Sequence, residues 1–165
     1  MKKKTTKAAA PALDPVEIMI AVTKFNEVVS SDVSLRAANG NTDYTMKMRK
    51  KDPRACIEGD NLCMKRPGAP IKFTITSVPG DEEKYYPTGI TFLREAKSNT
   101  SDKQRLGLLN FPQNETRMDG RSVFVTDTYK DGKERVRYKF SLLIQRGSDG
   151  KIGIIDPGIE HQDDY

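Results

Sequence analysis

An alternating segment near the C-terminus, Val136–Ile144, constrains the fold more than any other feature of the sequence. Its apolar residues recur at every second position, and Arg137, Lys139 and Ser141 stand between them. Successive side chains of a β-strand point to opposite faces of the sheet. The segment therefore predicts a strand with one face buried along its whole length.

Several other segments have the β-branched or alternating character of strands. They lie at 16–22, 44–48, 71–76, 85–93, 122–127 and 151–155. Asp-Gly pairs at 119–120, 131–132 and 149–150 suit the positive φ angles of tight turns. Short strands with such turns predict an all-β fold, an immunoglobulin-like antiparallel β-sandwich of about seven to nine strands.

A chain of 165 residues is most simply a single domain. We expect a disordered basic N-terminal tail at 1–14, the sandwich domain at 15–158 and an acidic C-terminal tail at 159–165. The segment 50–69, rich in proline and glycine, has no periodicity and is expected to be irregular. The only histidine, His161, falls in the predicted tail, where its side chain should be solvated.

The positive charge is concentrated in two places. Of the net charge of +5, the tail lysines Lys2, Lys3, Lys4 and Lys7 supply all but one unit. A second cluster lies at 47–54, around the single acid Asp52, and several cations on one surface segment can neutralise phosphates. The alternative is a solvated or ion-paired face. The candidate anion-binding residues are Lys47, Arg49, Lys50, Lys51 and Arg54.

Catalytic and metal-binding patterns are missing from the sequence. Cys56 and Cys63 are the only cysteines, and they are either two reduced thiols or a local disulfide. Two thiolates fall short of the four ligands of a zinc site, so we expect no metal. A triad needs a histidine held by surrounding structure, so we expect no enzyme. The segment 127–134 is read as a hairpin turn rather than a calcium loop, and no cofactor motif occurs.

The sequence contains no apolar run close to the 18 residues that a membrane-spanning helix requires. The N-terminal lysines are not followed by the apolar stretch of a signal peptide. We therefore expect no membrane span and a cytoplasmic location.

The C-terminal part of the chain resembles the DP-EP family of small bacterial proteins. The likeness rests on the strand Tyr138–Ile144 and the ending Ile155–Glu160, which contains Asp-Pro. The segments 87–92 and 125–128 are similar to the family's mid-domain pattern, so the resemblance covers about residues 70–160. A weaker likeness, in the last strand and Asp-Pro only, is to bacterial inclusion-body proteins with a sandwich fold. The resemblance implies a bacterial, immunoglobulin-like sandwich and supplies no catalytic residue.

These features lead to two functional hypotheses. The first is a non-enzymatic binding or assembly module that contacts a protein partner or a second copy of itself. The alternative is a polyanion-binding or nucleic-acid-binding protein that uses the lysine-rich tail and the basic segment at 47–54.

Overall fold

All the regular structure in the described part of the chain is β-strand, which confirms the predicted all-β class. A computed structural model describes residues 13–31, 34–37, 41–65, 68–94, 111–112, 116–128 and 136–161. The strands are β1 (Val16–Lys24), β2 (Val28–Ser31), β3 (Ser34–Ala37), β4 (Asp43–Met48), β5 (Ala55–Glu58), β6 (Asn61–Met64), β7 (Pro70–Ser77), β8 (Tyr85–Arg94), β9 (Arg117–Asp119), β10 (Ser122–Thr126), β11 (Val136–Arg146), β12 (Ile152–Ile155) and β13 (Gly158–His161).

Two sheets pack against each other, and the pair β2–β3 stands apart from them. The first sheet has five strands in the order β4-β1-β7-β10-β9, and the second combines β5, β6, β8, β11, β12 and β13. The β-sandwich prediction is thus confirmed, with more strands than expected. The prediction of purely antiparallel sheets is wrong, because β1 runs parallel to β7 and β13 runs parallel to β6. The immunoglobulin-like topology stays a prediction.

Strand β11 organises the second sheet. It pairs along one edge with β8 and along the other with β13 and then β12. Its predicted alternation is confirmed: Arg137 and Lys139 are exposed, whereas the apolar residues between and after them are buried. These buried residues are Tyr138, Phe140, Leu142 and Ile144.

The core between the sheets is built around aromatic rings. Phe140 lies 5.0 Å, centroid to centroid, from Phe73 on the first sheet and 5.6 Å from Phe92 on its own sheet. Phe111 stacks on Phe92 at 4.3 Å and meets Tyr138 edge-on at 5.1 Å. All five rings are buried, and burial of each such side chain contributes about 1.5–3 kcal/mol to stability. This cluster joins the two sheets.

The domain extends beyond the predicted boundary at residue 158. Residues Gly158–His161 form β13 between β11 and β6, and all four are buried. His161 packs against two aromatic rings of the core, and its Nε2 lies 2.7 Å from Oδ2 of Asp127. The prediction of an acidic tail from 159 and of a solvated His161 is therefore wrong. The remaining tail positions, 162–165, lie outside the described residues.

The segment 50–69, predicted to be irregular, contains the hairpin β5–β6. Two of the three predicted Asp-Gly turns are confirmed, since Gly120 has φ +55° and Gly150 has φ +73°. The third, at 131–132, and residues 1–12 of the predicted disordered tail at 1–14 fall outside the part of the chain that the structure describes. Within that part, no helix is long and apolar enough to cross a bilayer.

A buried polar contact ties the two sheets together at one end. The Thr42 hydroxyl donates to the carbonyl oxygen of Asn26 and accepts from its N–H, each at 3.1 Å. The Thr42 N–H donates to the Ile154 carbonyl oxygen on β12 at 2.8 Å. Gly153 lies directly beneath this contact. A Cβ on Gly153 would stand 2.6 Å from the Thr42 oxygen and 3.1 Å from the Asn26 carbonyl oxygen.

We predict that Gly153→Ala lowers the free energy of unfolding by about 1–3 kcal/mol, the usual cost of overpacking. The added methyl group would also meet the Phe25 ring at 2.8 Å, so backbone, hydroxyl and ring would all have to move. Urea denaturation followed by circular dichroism measures the loss.

Gly89→Ala is the matched control, because Gly89 also lies within a strand and its new Cβ would meet Leu143 at an ordinary 3.4 Å. We expect this variant to be as stable as the wild type. Equal stability of the two variants would contradict the close packing at Gly153.

Candidate functional site

The outer face of the five-stranded sheet carries a row of charged side chains. The strand registers place Glu17 beside Lys72, Lys72 beside Phe124, and Phe124 beside Arg117. Arg49 continues the row past the end of β4, where its N–H donates to the Glu17 carbonyl oxygen at 2.9 Å. Because side chains alternate between faces, the neighbours of Glu17, Lys72 and Phe124 on β1, β7 and β10 are buried in the core. We call these five residues the basic row.

One carboxylate in the basic row is shared by three cations. Glu17 lies 3.4 Å from Nη1 of Arg49, 3.9 Å from Nζ of Lys72 and 4.0 Å from Nζ of Lys50. Arg49 and Lys50 keep more than half of their side-chain surface exposed, at 58% and 60%. One negative charge cannot neutralise three positive ones, so the surface around Glu17 is positive.

The far end of the basic row is held by an aromatic ring. The guanidinium carbon of Arg117 lies 4.4 Å, and Nζ of Lys72 lies 5.3 Å, from the centroid of Phe124. Cation–π contacts of this kind are worth about 0.5–1 kcal/mol at exposed sites. The ring therefore holds two cations on the sheet surface without neutralising either of them.

The predicted anion-binding residues divide into two groups. Lys47, Arg49, Lys50 and Lys51 are exposed, and Lys47 lies opposite Met19 in the row next to the basic row. Arg54 differs from them because an internal carboxylate holds it. We therefore do not propose Arg54 as an anion ligand, whereas the other four residues stay candidates.

Arg54 forms a clamp with Asp52 that fixes the chain between the two sheets. The buried Asp52 carboxylate accepts from Nε of Arg54 at 2.9 Å, from Nη2 at 2.7 Å and from its backbone N–H at 2.9 Å. Nη1 of Arg54 donates to the Asp14 carbonyl oxygen at 2.9 Å. The side-chain hydrogen bond from Arg54 is the main cause that lowers the pKa of Asp52 below its ordinary 3.8. This Asp52–Arg54 clamp is structural.

Sequence reasoning missed Lys72, Arg117 and Phe124. Lys72 stands between two buried residues of an alternating strand, so its outward direction could be read from the sequence. Its neighbours in space come from segments more than forty residues away. Only the strand order places them together.

A second polar feature lies on the outer face of the other sheet. A cavity of about 300 Å³ is lined by Asp60, Asn61, Arg137, Tyr138, Lys139, Asp156, Pro157 and Gly158. Two carboxylates and two cations surround it, so their formal charges balance. The cavity therefore does not extend the positive surface of the basic row.

The buried pair of His161 and Asp127 has the contact of a catalytic dyad. Both side chains lie in the core and expose 2% or less of their surface. A substrate in solution cannot reach them in this arrangement, so we assign the pair to stability. The absence of enzymatic activity stays a prediction.

No protein-family model matches the chain, and no curated protein matches it either. The resemblance to the DP-EP family, the bacterial origin and the cytoplasmic location therefore stay predictions.

We predict that Asp52→Asn, which breaks the Asp52–Arg54 clamp, lowers the free energy of unfolding by about 1.5–3 kcal/mol near pH 7. The variant keeps the size of the side chain and removes its charge. Because folding lowers the pKa of Asp52, the wild type holds this stability above the ordinary pKa of 3.8 and loses it as pH falls through the folded value. The gap between wild type and variant should therefore shrink as the pH falls below 3.8.

Asp119→Asn is the control, because Asp119 is exposed on β9. Its effect should stay within about 0.5 kcal/mol at either pH. Denaturant titrations at both pH values make the comparison, and a gap that persists unchanged in acid would rule out the charged clamp as its source.

Proposed function

We propose that this chain is a non-enzymatic binding module whose ligand is a polyanion, with nucleic acid as the ligand class. The observation that carries the proposal is the basic row. Arg49 and Lys72 lie around the Glu17 carboxylate, Lys50 adds a third cation there, and Arg117 stands at the far end of the row beyond Phe124. Such an arrangement presents several phosphate-binding groups to one ligand at the same time.

The shape of the surface supports the same ligand. The row crosses all five strands of the sheet, so its charges are spread along a line rather than gathered in a pocket. A nucleic-acid backbone presents its phosphates along a line as well, and each contact releases condensed counterions. The lysine-rich N-terminal segment, which lies outside the described residues, adds four further cations in the sequence.

The contacts favour recognition of the backbone over recognition of bases. Lys72 and Arg117 lie over the Phe124 ring, so this ring is engaged with cations of its own chain. Stacking on exposed aromatic rings is the usual way of binding single-stranded bases. We therefore expect binding that depends on charge and salt and hardly on sequence.

The expectation of a protein partner or of self-association stays a prediction beside this proposal. Sedimentation over a range of protein concentrations tests self-association without nucleic acid. A concentration-dependent oligomer would support an assembly module, and a monomer at high concentration would count against it.

We predict that neutralising a cation of the basic row weakens oligonucleotide binding and that neutralising the carboxylate of the row strengthens it. Lys72→Gln and Arg117→Gln should each reduce affinity for a labelled oligonucleotide and lower the slope of log K against log salt by about 0.7–0.9, the share of one phosphate contact. Glu17→Gln should raise affinity, because it frees the three cations that share this carboxylate. Fluorescence anisotropy at low salt measures all three.

Lys84→Gln is the matched control, since it removes the same charge from an exposed position that does not belong to the sheet. The oligonucleotide affinity of Lys84→Gln should reflect only the loss of one overall charge. It should therefore fall less than the affinity of the row variants. The proposal fails if the wild type shows no affinity at low salt, or if Lys84→Gln is as damaging as Lys72→Gln.

A further inference from the structure

The hairpin β5–β6 brings two cysteines and a carboxylate to one face. Its register places Cys56 directly opposite Cys63, and Glu58 is two residues beyond Cys56 on the same strand. Side chains repeat on one face with a period of two, so Glu58 shares the face of the cysteine pair. Gly59 closes the turn with φ +59°, a conformation that suits glycine at the first position of a two-residue hairpin turn.

The three ligand atoms already stand close to metal-binding distances. Both sulfur atoms and one carboxylate oxygen lie within 4.8 Å of one another. Two thiolates that share a tetrahedral zinc ion, with Zn–S bonds of about 2.3 Å, stand roughly 3.8 Å apart. A small inward shift of the side chains would therefore complete this part of a coordination sphere.

The cluster lies on the outer side of the sheet and opens toward solvent. The alternate residues of the hairpin, Leu62 and Met64, are fully buried in the core, so the cysteine face points away from it. Cys63 is buried at the base of the cluster, Cys56 is half-buried and Glu58 is exposed. Because exposure increases from Cys63 through Cys56 to Glu58, an ion can enter from the Glu58 side, as a metal site requires.

The neighbouring strand closes one side of the cluster. Glu160 on β13 lies beside Cys63 in the parallel register. Its carboxylate oxygen Oε2 is 3.1 Å from both Nε and Nη2 of Arg137, so this acid is ion-paired within the sheet. We therefore assign the ligand set to the hairpin alone.

The charges at the cluster favour a cation. Burial, together with the neighbouring Cys56 and Glu58, raises the pKa of the Cys63 thiol to about 12. Every group that acts on this thiol disfavours its ionised form. A divalent ion would reverse that effect, because a coordinated thiol loses its proton.

We propose that Cys56, Glu58 and Cys63 form a three-ligand site for a borderline divalent cation, with Zn²⁺ as the best fit and a fourth position open to water or another ligand. Two thiolates exclude the oxygen-preferring ions Mg²⁺ and Ca²⁺ as natural occupants. The site is separate from the basic row, which lies on the other sheet, and it does not depend on polyanion binding.

The two cysteines alone predicted no metal site, and the third ligand, Glu58, joins them only through the hairpin. Glu58 follows Cys56 by two positions and precedes the Gly59-Asp60 turn. Once the segment is known to be a hairpin, this spacing places the Glu58 carboxylate on the cysteine face. Two cysteines at this spacing can also form a disulfide, which would compete with the metal under oxidising conditions.

The test is a titration of the reduced full-length protein with Co²⁺, whose spectrum shows thiolate charge-transfer bands when cysteine binds. We expect one equivalent of Co²⁺ to bind and Zn²⁺ to displace it. Cys56→Ser should weaken the charge-transfer bands, because only one of the two thiolates remains. Glu58→Gln should weaken binding by at least ~10-fold, since even partners outside the coordination sphere alter affinity by ~10–100-fold.

Glu82→Gln is the matched control, an exposed acid outside the hairpin that should leave binding unchanged. Glu58 is exposed as well, so its variant should fold, and circular dichroism of each variant checks this. Three results would overturn the proposal: no cobalt spectrum with the reduced wild type, an unchanged spectrum in Cys56→Ser, or equal affinity of Glu58→Gln and Glu82→Gln. Isolation of the protein only as a Cys56–Cys63 disulfide whose reduced form binds no Co²⁺ would also reject it.

Discussion

The alternation of strand β11 is the constraint on which the rest of the structure depends. Tyr138 and Phe140 enter the core from this strand, and Phe140 reaches Phe73 on the opposite sheet. The same strand pairs with β8 along one edge and with β12 and β13 along the other. Strand β11 therefore contributes both side chains to the core and backbone hydrogen bonds to its neighbouring strands. A register shift by a single residue would move every one of its buried side chains to solvent.

With a core of this kind, the side chains of both candidate sites lie on the outer faces of the sheets. Because each strand gives alternate residues to the core, the residues between them collect on the two outer surfaces in rows that cross the strands. On the first sheet these rows align Arg49, Glu17 and Lys72. On the second sheet they align Cys56 and Cys63. Neither cluster consists only of residues that are neighbours in the sequence. Strand register brings the members of each cluster together.

Sequence patterns predicted the long strands and missed some of the short ones. Residues 136–144 and 71–76 alternate over enough positions to be recognised, and their strands were predicted correctly. The four-residue strands of the β5–β6 hairpin and β13 are too short for a period of two to stand out among glycine and proline. His161 was misread for this reason, since its burial comes from pairing with strands that lie far away in the sequence.

The candidate sites show the same limit. The exposed cations at 47–51 could be found from local charge, whereas their partners Lys72 and Arg117 required the strand order. Asp52 looked like a lone acid among cations, yet it is buried and binds Arg54. A charge count cannot distinguish a cation held by a buried carboxylate from one that is free for a ligand.

The Asp52–Arg54 clamp also joins the two outer surfaces. The chain leaves the basic row at Arg49 and enters β5 at Ala55, so the clamp lies within the crossover between the sheets. The Arg54 carbonyl oxygen accepts from the N–H of Lys65 at 2.8 Å, beyond the end of β6. Stacked sheets stand about 10 Å apart, close to the distance over which physiological salt screens exposed charges. The electric field of a cation at the hairpin would therefore reach the basic row only in screened form.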